Sequence, residues 1–324
     1  MPSLATNLIK LARPAQWAKG VFVLVGPLYA LADPAKHTHI PWLNVACAFV
    51  AFGLASSGCY IINDLRDRDA DRLHPRKSKR PIASGSVTPA AALWFAFILF
   101  LLATAAALAP VWASTLQFIN PAGAETALRS CLWTVLLVAA YIFNTIAYSI
   151  RIKHLVILDV LSLSLGFVLR VLGGCAAAGV EPSSWLLNCT FFVSMFLALG
   201  KRLGELRSLG DSAASVRGVL GTYTIDFLRM AVVVTAVACL VTYSGYVQSR
   251  SDQGTFHYAG WGFNLLWLTM LPATYALLRT IVQMERGKYD DPTELAYKDN
   301  AFRVAVLLFA LLTAIVIFTN RYGA

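Results

Sequence analysis

Apolar residues along the chain come in blocks close to twenty long, separated by short polar segments. Nine blocks can be marked, at roughly 18–32, 42–62, 88–112, 130–149, 155–178, 184–200, 227–247, 260–284 and 300–319. A helix needs about twenty apolar residues to cross the hydrocarbon core. Inside lipid each backbone polar group must find its partner within the helix itself. The pattern therefore predicts an all-α, multi-pass integral membrane helical bundle with about nine transmembrane helices. The first block is the shortest and is interrupted by Pro27. Lys10, Arg13 and Lys19 ahead of it and Ala30-Leu31-Ala32 at its end also give it the layout of a secretory signal. The preface carrying Trp17 is long for a signal, so a first membrane helix is the favoured reading.

Composition sharpens this picture. A soluble chain of 324 residues would suggest two domains. Here 58% of residues are hydrophobic and only 14% charged, which points to one membrane-embedded domain over residues 1–324. The six cysteines all fall in apolar blocks with no C-x-x-C spacing, so neither a disulfide framework nor a zinc site is expected. No tandem repeat, low-complexity run or P-loop is present.

The formal charge of +10 raises the question of a nucleic-acid partner, but its distribution answers otherwise. If the nine blocks cross in alternation, 22 of the 27 Lys and Arg residues fall in the N-terminal segment and the loops after the second, fourth, sixth and eighth helices. The positive-inside rule puts those segments in the cytoplasm and the C-terminus outside. The expectation is a multi-pass protein of a bacterial inner membrane, in contact with membrane lipid and with no nucleic acid. Topology alone does not explain why acids gather on the same side.

Those acids are concentrated where the second block ends, in INDLRDRDADRLHPRKSKRPIASG, residues 62 to 85. On a helix continuing past Ile62 at about 100° per residue, with Asp64 at zero, Asp67 lies at about −60°, Asp71 at about −20° and Asn63 at about −100°. Asp69 lies at about +140°, on the far face. Like charges gathered on one face repel unless a cation is present. Mg²⁺ suits such hard oxygen donors, using one or two carboxylates and keeping other positions for water and phosphate. An arbitrary D-x-x-D is more often a solvated, ion-paired helix end. The longer pattern at the mouth of a membrane helix favours the metal-binding reading.

Asn63-Asp64-x-x-Asp67-x-x-x-Asp71 closing the second helix resembles the first aspartate motif of the UbiA-type prenyltransferase superfamily. That resemblance implies a UbiA-like helical bundle using Mg²⁺ to hold a diphosphate that an acceptor displaces. Ordinary members carry a second D-x-x-x-D at the end of helix six; here that stretch reads Gly200-Lys201-Arg202-Leu203-Gly204-Glu205. One branch is similar over about residues 8–300: the decaprenyl-phosphate phosphoribosyltransferases. The stretches that carry it are Arg13-Pro14-x-Gln16-Trp17-x-Lys19, Asn63 through Arg80-Pro81-Ile82-Ala83, and Tyr148-Ser149 with Lys153-His154 and Asp159. Gly166-Phe167 with Arg170, Gly200 to Glu205, and Tyr223-Thr224 with Leu228-Arg229 complete it. The branch joins phosphoribosyl pyrophosphate to a polyprenyl phosphate, releases pyrophosphate, and feeds lipid-linked D-arabinofuranose donors.

The resemblance implies that Asp64, Asp67 and Asp71 hold Mg²⁺ on the pyrophosphate, with Asn63 beside them. Arg13 and Gln16 join the substrate contacts. Lys19, Arg76, Lys77, Arg80, Lys153, Lys201 and Arg202 are the candidate cations for the remaining phosphates, and Glu205 closes the sixth-helix segment. Arg170 lies mid-block, where a charge is costly, so it must face a partner such as Asp159 or a lipid phosphate. Asp159 opens helix five, where an anion also favours the helix dipole. Tyr148 can stack on the donor or anchor at the interface. A homo-oligomer is compatible with all of this. An aromatic prenyltransferase shares the fold and metal motif, but Lys201-Arg202-x-x-Glu205 speaks against it. A lipid-phosphate transporter would need polar residues spread through the bundle, whereas here they collect on one side.

Overall fold

In the computed structural model the apolar blocks are helices, and no β-strand is present among the described residues. The structure describes residues 3–31, 39–73, 77–116, 121–209, 218–252, 264–287 and 294–322. In chain order the helices are α1 (Leu4–Ala12), α2 (Val21–Ala30), α3 (Trp42–Arg66), α4 (Arg68–Leu73), α5 (Pro89–Leu116) and α6 (Pro121–Ile150). They continue with α7 (Leu158–Ala178), α8 (Ser184–Leu209), α9 (Ile225–Asp252), α10 (Met270–Glu285), α11 (Leu295–Lys298) and α12 (Asn300–Tyr322).

Eight helical segments among the described residues are long and apolar enough to cross a membrane. The first apolar block contributes only the ten residues of α2, too few for a span by themselves. A seven-residue 3₁₀ segment, Pro14–Gly20, runs directly into it. Seven residues at about 2.0 Å and ten at about 1.5 Å give roughly 29 Å, close to the thickness of the hydrocarbon core. This stretch runs antiparallel to α3. Gly53 has no room for a Cβ because the Trp17 ring would lie 2.8 Å away, and Phe49 closes over Gly20 in the same manner. The 3₁₀ segment and α2 together are thus long enough for one further crossing, built in two windings, beside the eight among the described residues.

Several of the long helices expose apolar faces. Leu93, Trp94, Phe97, Ile98 and Leu101 on α5 are all exposed, as are Phe143 on α6 and Leu307 on α12. Such faces are at home against lipid tails. Buried polar residues such as Ser56, Ser57 and Thr134 sit inside instead. The spans of α3 and α7 are 61% and 67% buried, against 17–28% for α5, α6, α10 and α12, so α3 and α7 are the most enclosed of these spans.

The chain divides into two compact units. The first holds Met1–Pro27, His39–Ile152 and Leu169–Glu181. Its core packs Val23, Phe52, Val138 and Leu169 among many alanines, including Ala48, Ala51, Ala55, Ala103 and Ala107. Small residues of this kind let membrane helices approach closely. At Gly174 a Cβ would collide with the carbonyl oxygen of Val23. The second unit holds Leu28–Thr38, Lys153–Val168 and Pro182–Ala324. Its core gathers Val160, Phe196, Leu199, Leu203, Leu228 and Val232. All six cysteines are free, four of them buried and Cys47 and Cys189 half-buried.

Candidate active site

In the first unit the chain turns at Asp67, between α3 and α4, without breaking the helical ladder. Asp67 N–H donates to the Asn63 carbonyl at 2.9 Å, and Asp71 N–H to the Asp67 carbonyl at 2.8 Å. Asp64 and Asp71 therefore share a buried face, their side chains 3% and 5% exposed. Asp69 is 77% exposed and pairs with Arg68 and Arg72, as its position on the far face predicts.

Two guanidinium groups hold the buried carboxylates. Arg13 Nη2 donates to Asp64 Oδ1 at 2.6 Å and to Oδ2 at 2.7 Å. Arg80 Nη1 donates to Asp64 Oδ1 at 3.0 Å and to Asp71 Oδ2 at 2.7 Å. Arg13 stands at the junction of α1 and the 3₁₀ segment in a left-handed conformation, φ 48°, with its guanidinium 5.0 Å from the centre of the Tyr60 ring. Tyr60 OH in turn donates to Gln16 Oε1 at 3.2 Å and accepts from Lys19 Nζ at 3.3 Å. The junction is pinned from α3: Ser57 Oγ donates to the Ala12 carbonyl at 2.6 Å and accepts from Trp17 Nε1 at 3.0 Å. Arg13, Gln16, Lys19, Asp64, Asp71 and Arg80 are thus brought together.

The expected triad of metal carboxylates is not assembled. No three His, Cys, Asp or Glu side chains among the described residues converge closely enough to hold a metal by themselves. Asp67 instead accepts from Asn63 Nδ2 at 3.2 Å. The pair that remains still fits Mg²⁺. One cationic nitrogen of Arg80 already lies within 3.0 Å of an oxygen from both Asp64 and Asp71. Two carboxylates that converge on one cation are as many as Mg²⁺ usually takes from protein. Lys77 is half-buried in the turn after α4, Tyr148 is half-buried near the end of α6, and Arg76 lies outside the described residues.

Arg170 also lies in the first unit and is 3% exposed. The anticipated Asp159 is not its partner. Its Nη2 donates to Tyr141 OH at 2.8 Å and Ser56 Oγ at 3.2 Å. Its guanidinium lies 4.6 Å from the Tyr141 ring centre and 5.7 Å from that of Phe52. Two hydroxyls and two ring faces accommodate the cation and tie α7 to α3 and α6.

In the second unit Asp159 is completely buried and accepts twice. Arg202 Nε reaches Oδ2 at 2.9 Å and Tyr223 OH reaches Oδ1 at 2.8 Å. Arg202 Nη1 also donates to Glu205 Oε2 at 2.9 Å, and the arginine side chain is 2% exposed. Arg202, expected to grip a phosphate, is paired with two carboxylates, Asp159 and Glu205. Lys201 beside it is exposed, and Lys153 is buried in a short 3₁₀ turn, Ile152–His154. Tyr223 OH also accepts the Ile157 N–H at 2.7 Å. Ile157 has φ 69°, a conformation costly for a β-branched residue, and that bond holds it. Burial, then the hydrogen bond to Asp159, pushes the Tyr223 hydroxyl up to about 12, so it stays a donor at neutral pH.

Sequence reasoning did not place Tyr60 or Tyr223 in the site. Tyr60 was within reach: four residues before Asp64, it falls about 40° away on the same face. Tyr223 is 64 residues from Asp159, and no local period connects them.

The UbiA prenyltransferase family profile matches residues 20–307. The decaprenyl-phosphate phosphoribosyltransferase of Mycolicibacterium smegmatis is 35% identical over 311 residues, covering 94% of this chain and 90% of the relative. That of Corynebacterium glutamicum is 33% identical over 321 residues, covering 97% and 88%. Among solved structures, a UbiA homolog from Archaeoglobus fulgidus bound to GPP and Mg²⁺ superposes with a TM-score of 0.62 at 15% identity, covering 97% of this chain and 98% of the other. That likeness extends to the fold.

Proposed function

The chain belongs to the UbiA prenyltransferase family, and from that premise we propose that it transfers a 5-phosphoribosyl group from phosphoribosyl pyrophosphate to a polyprenyl phosphate, releasing pyrophosphate. The observation that carries this reading is similarity over nearly the whole of both chains to two relatives named for that activity. The site lies on the cytoplasmic side of a bacterial plasma membrane, where the water-soluble donor is found, and the product supplies lipid-linked D-arabinofuranose donors. Both compact units belong to one transferase.

In the reaction, the bond from the anomeric carbon to pyrophosphate breaks and a bond to an oxygen of the acceptor phosphate forms. The acceptor enters as an anion, so no strong general base is required. What the protein supplies is position and preorganised charge. Asp64 and Asp71 would hold Mg²⁺, which when bound neutralises charge on the departing pyrophosphate. Arg13, Lys19 and Arg80 line the same place with cations for phosphate oxygens, Arg in a planar fork and Lys as a point charge. Asn63 and Asp67 form the adjoining polar pair and receive ribose hydroxyls. Lys201 is the exposed phosphate contact of the second unit. Arg202, Asp159 and Tyr223 keep that helix end in shape.

The test is incubation of purified protein with radiolabelled phosphoribosyl pyrophosphate and polyprenyl phosphates, with and without Mg²⁺. Label should enter the lipid phase only with the metal. Failure to use this donor, together with prenylation of an aromatic acid from a prenyl diphosphate, would overturn the reading.

A further inference from the structure

The two carboxylates of the candidate metal site are already neutralised. Asp64 and Asp71 carry two negative charges, and Arg13 and Arg80 supply two positive ones through four contacts of 2.6 to 3.0 Å. Both Asp64 oxygens and one Asp71 oxygen are occupied. A divalent cation brings the same charge to the same oxygens, so it and the guanidinium groups compete for them.

The two sides of the cluster differ in their freedom to move. The carboxylates are buried, 3% and 5% exposed, on a helical ladder. The arginine side chains are 27% and 29% exposed and stand on the 3₁₀ junction and on the turn after α4. Arg13 has a second contact, the Tyr60 ring, that does not depend on the carboxylate. If a metal took the carboxylates without a further anion, two guanidinium groups and a divalent ion would crowd one half-buried place, with Lys19 bonded to Tyr60 close by. If the metal arrived with pyrophosphate, the displaced guanidinium groups would find phosphate oxygens, the bidentate partners they suit best.

We propose that Arg13 and Arg80 are exchangeable counter-ions, which hold Asp64 and Asp71 in the metal-free protein and pass to phosphate oxygens when a divalent cation takes those carboxylates. Metal and pyrophosphate therefore bind as one unit, and each binds poorly alone. This rests on reading Asp64 and Asp71 as metal carboxylates.

The experiment follows Mn²⁺ binding to the detergent-solubilised full chain by electron paramagnetic resonance, with and without inorganic pyrophosphate, corrected for Mn²⁺–pyrophosphate formation in solution. Wild-type protein should bind Mn²⁺ weakly alone and far better with pyrophosphate. Losing a charged hydrogen bond from the competition is worth about one to two decades of affinity. Arg80→Gln and Arg13→Gln should therefore each bind Mn²⁺ alone more tightly than wild type by about that factor, while losing most of the gain from pyrophosphate. Asp64→Asn should abolish binding in both arms. A structural role for the arginines predicts the opposite sign, since a disordered site binds metal less well. If either variant, still eluting as a monodisperse peak, binds Mn²⁺ alone no better than wild type, the exchange is refuted and the metal reading survives. If wild-type protein binds no Mn²⁺ even with pyrophosphate, both fall.

Discussion

Arg202 donates through Nε to the carboxylate of Asp159 at 2.9 Å, with both side chains removed from solvent, at 2% and 0% exposure. Truncating one partner of such a pair strands the other charge in the interior, which typically costs about 3–5 kcal/mol. Arg202→Ala should lower the thermal unfolding midpoint in detergent sharply. Lys201→Ala, at an exposed position, should leave the midpoint nearly unchanged and act on turnover alone. Equal midpoints for the two variants would remove Arg202 from its structural role.

The carboxylates separate by face. Asp64→Asn or Asp71→Asn should reduce phosphoribosyl transfer by about two decades or more, since a catalytic metal contributes several kcal/mol. Asp69→Asn should stay within about twofold of wild type, because an exposed ion pair contributes about 0–1 kcal/mol. The measurement is initial rate at saturating Mg²⁺. A loss at Asp69 as deep as that at Asp71 would break the argument from faces.

Tyr223 gives a pH dependence with a definite sign. Its folded-state value is raised to about 12 by burial, whereas an unfolded tyrosine ionises near 10. The stability it contributes is fully present below about pH 10 and is lost as pH rises through about 12. Thermal midpoints of wild type and Tyr223→Phe, compared from pH 8 to 11, should converge as the pH climbs. The variant should start lower, having lost the bonds to Asp159 and to the Ile157 N–H. A gap that widens with pH would contradict this assignment.

Topology can be read with single cysteines, since none of the six native ones is exposed. In right-side-out vesicles a membrane-impermeant maleimide should label Glu181→Cys and spare Ser84→Cys, both exposed loop positions. Inverted vesicles should give the reverse. Labelling of Ser84→Cys from outside would turn the proposed orientation over.

Much of this architecture was legible beforehand, because hydrophobic run length is a local property and lipid enforces it. The shared face of Asp64 and Asp71 followed from the helical repeat, and so did the exclusion of Asp69. Other features depend on tertiary packing. Asp159 and Arg170 lie eleven residues apart on one helix, nearly on one face, but that is roughly 16 Å along the axis, beyond the reach of their side chains. Arg170 found hydroxyls and rings on other helices instead, which no spacing encodes. Arg202 looked like a phosphate ligand because a sequence does not show burial. Arg80 bridges Asp64 and Asp71 from just beyond the 3₁₀ turn Lys77–Lys79, a placement that no period encodes.

Trp17 and Gly20 stand three residues apart on the 3₁₀ segment, while their neighbours Gly53 and Phe49 stand four apart on α3. Three residues at about 2.0 Å and four at about 1.5 Å both advance about 6.0 Å. Two helices of different winding therefore mesh like gears of equal pitch. An α-helical Pro14–Gly20 would advance only about 4.5 Å between Trp17 and Gly20 and slip out of step. The same gearing sets the depth of Arg13. One residue inserted between Arg13 and Trp17 would carry the guanidinium about 2.0 Å along the axis and a third of a turn around it, away from Asp64.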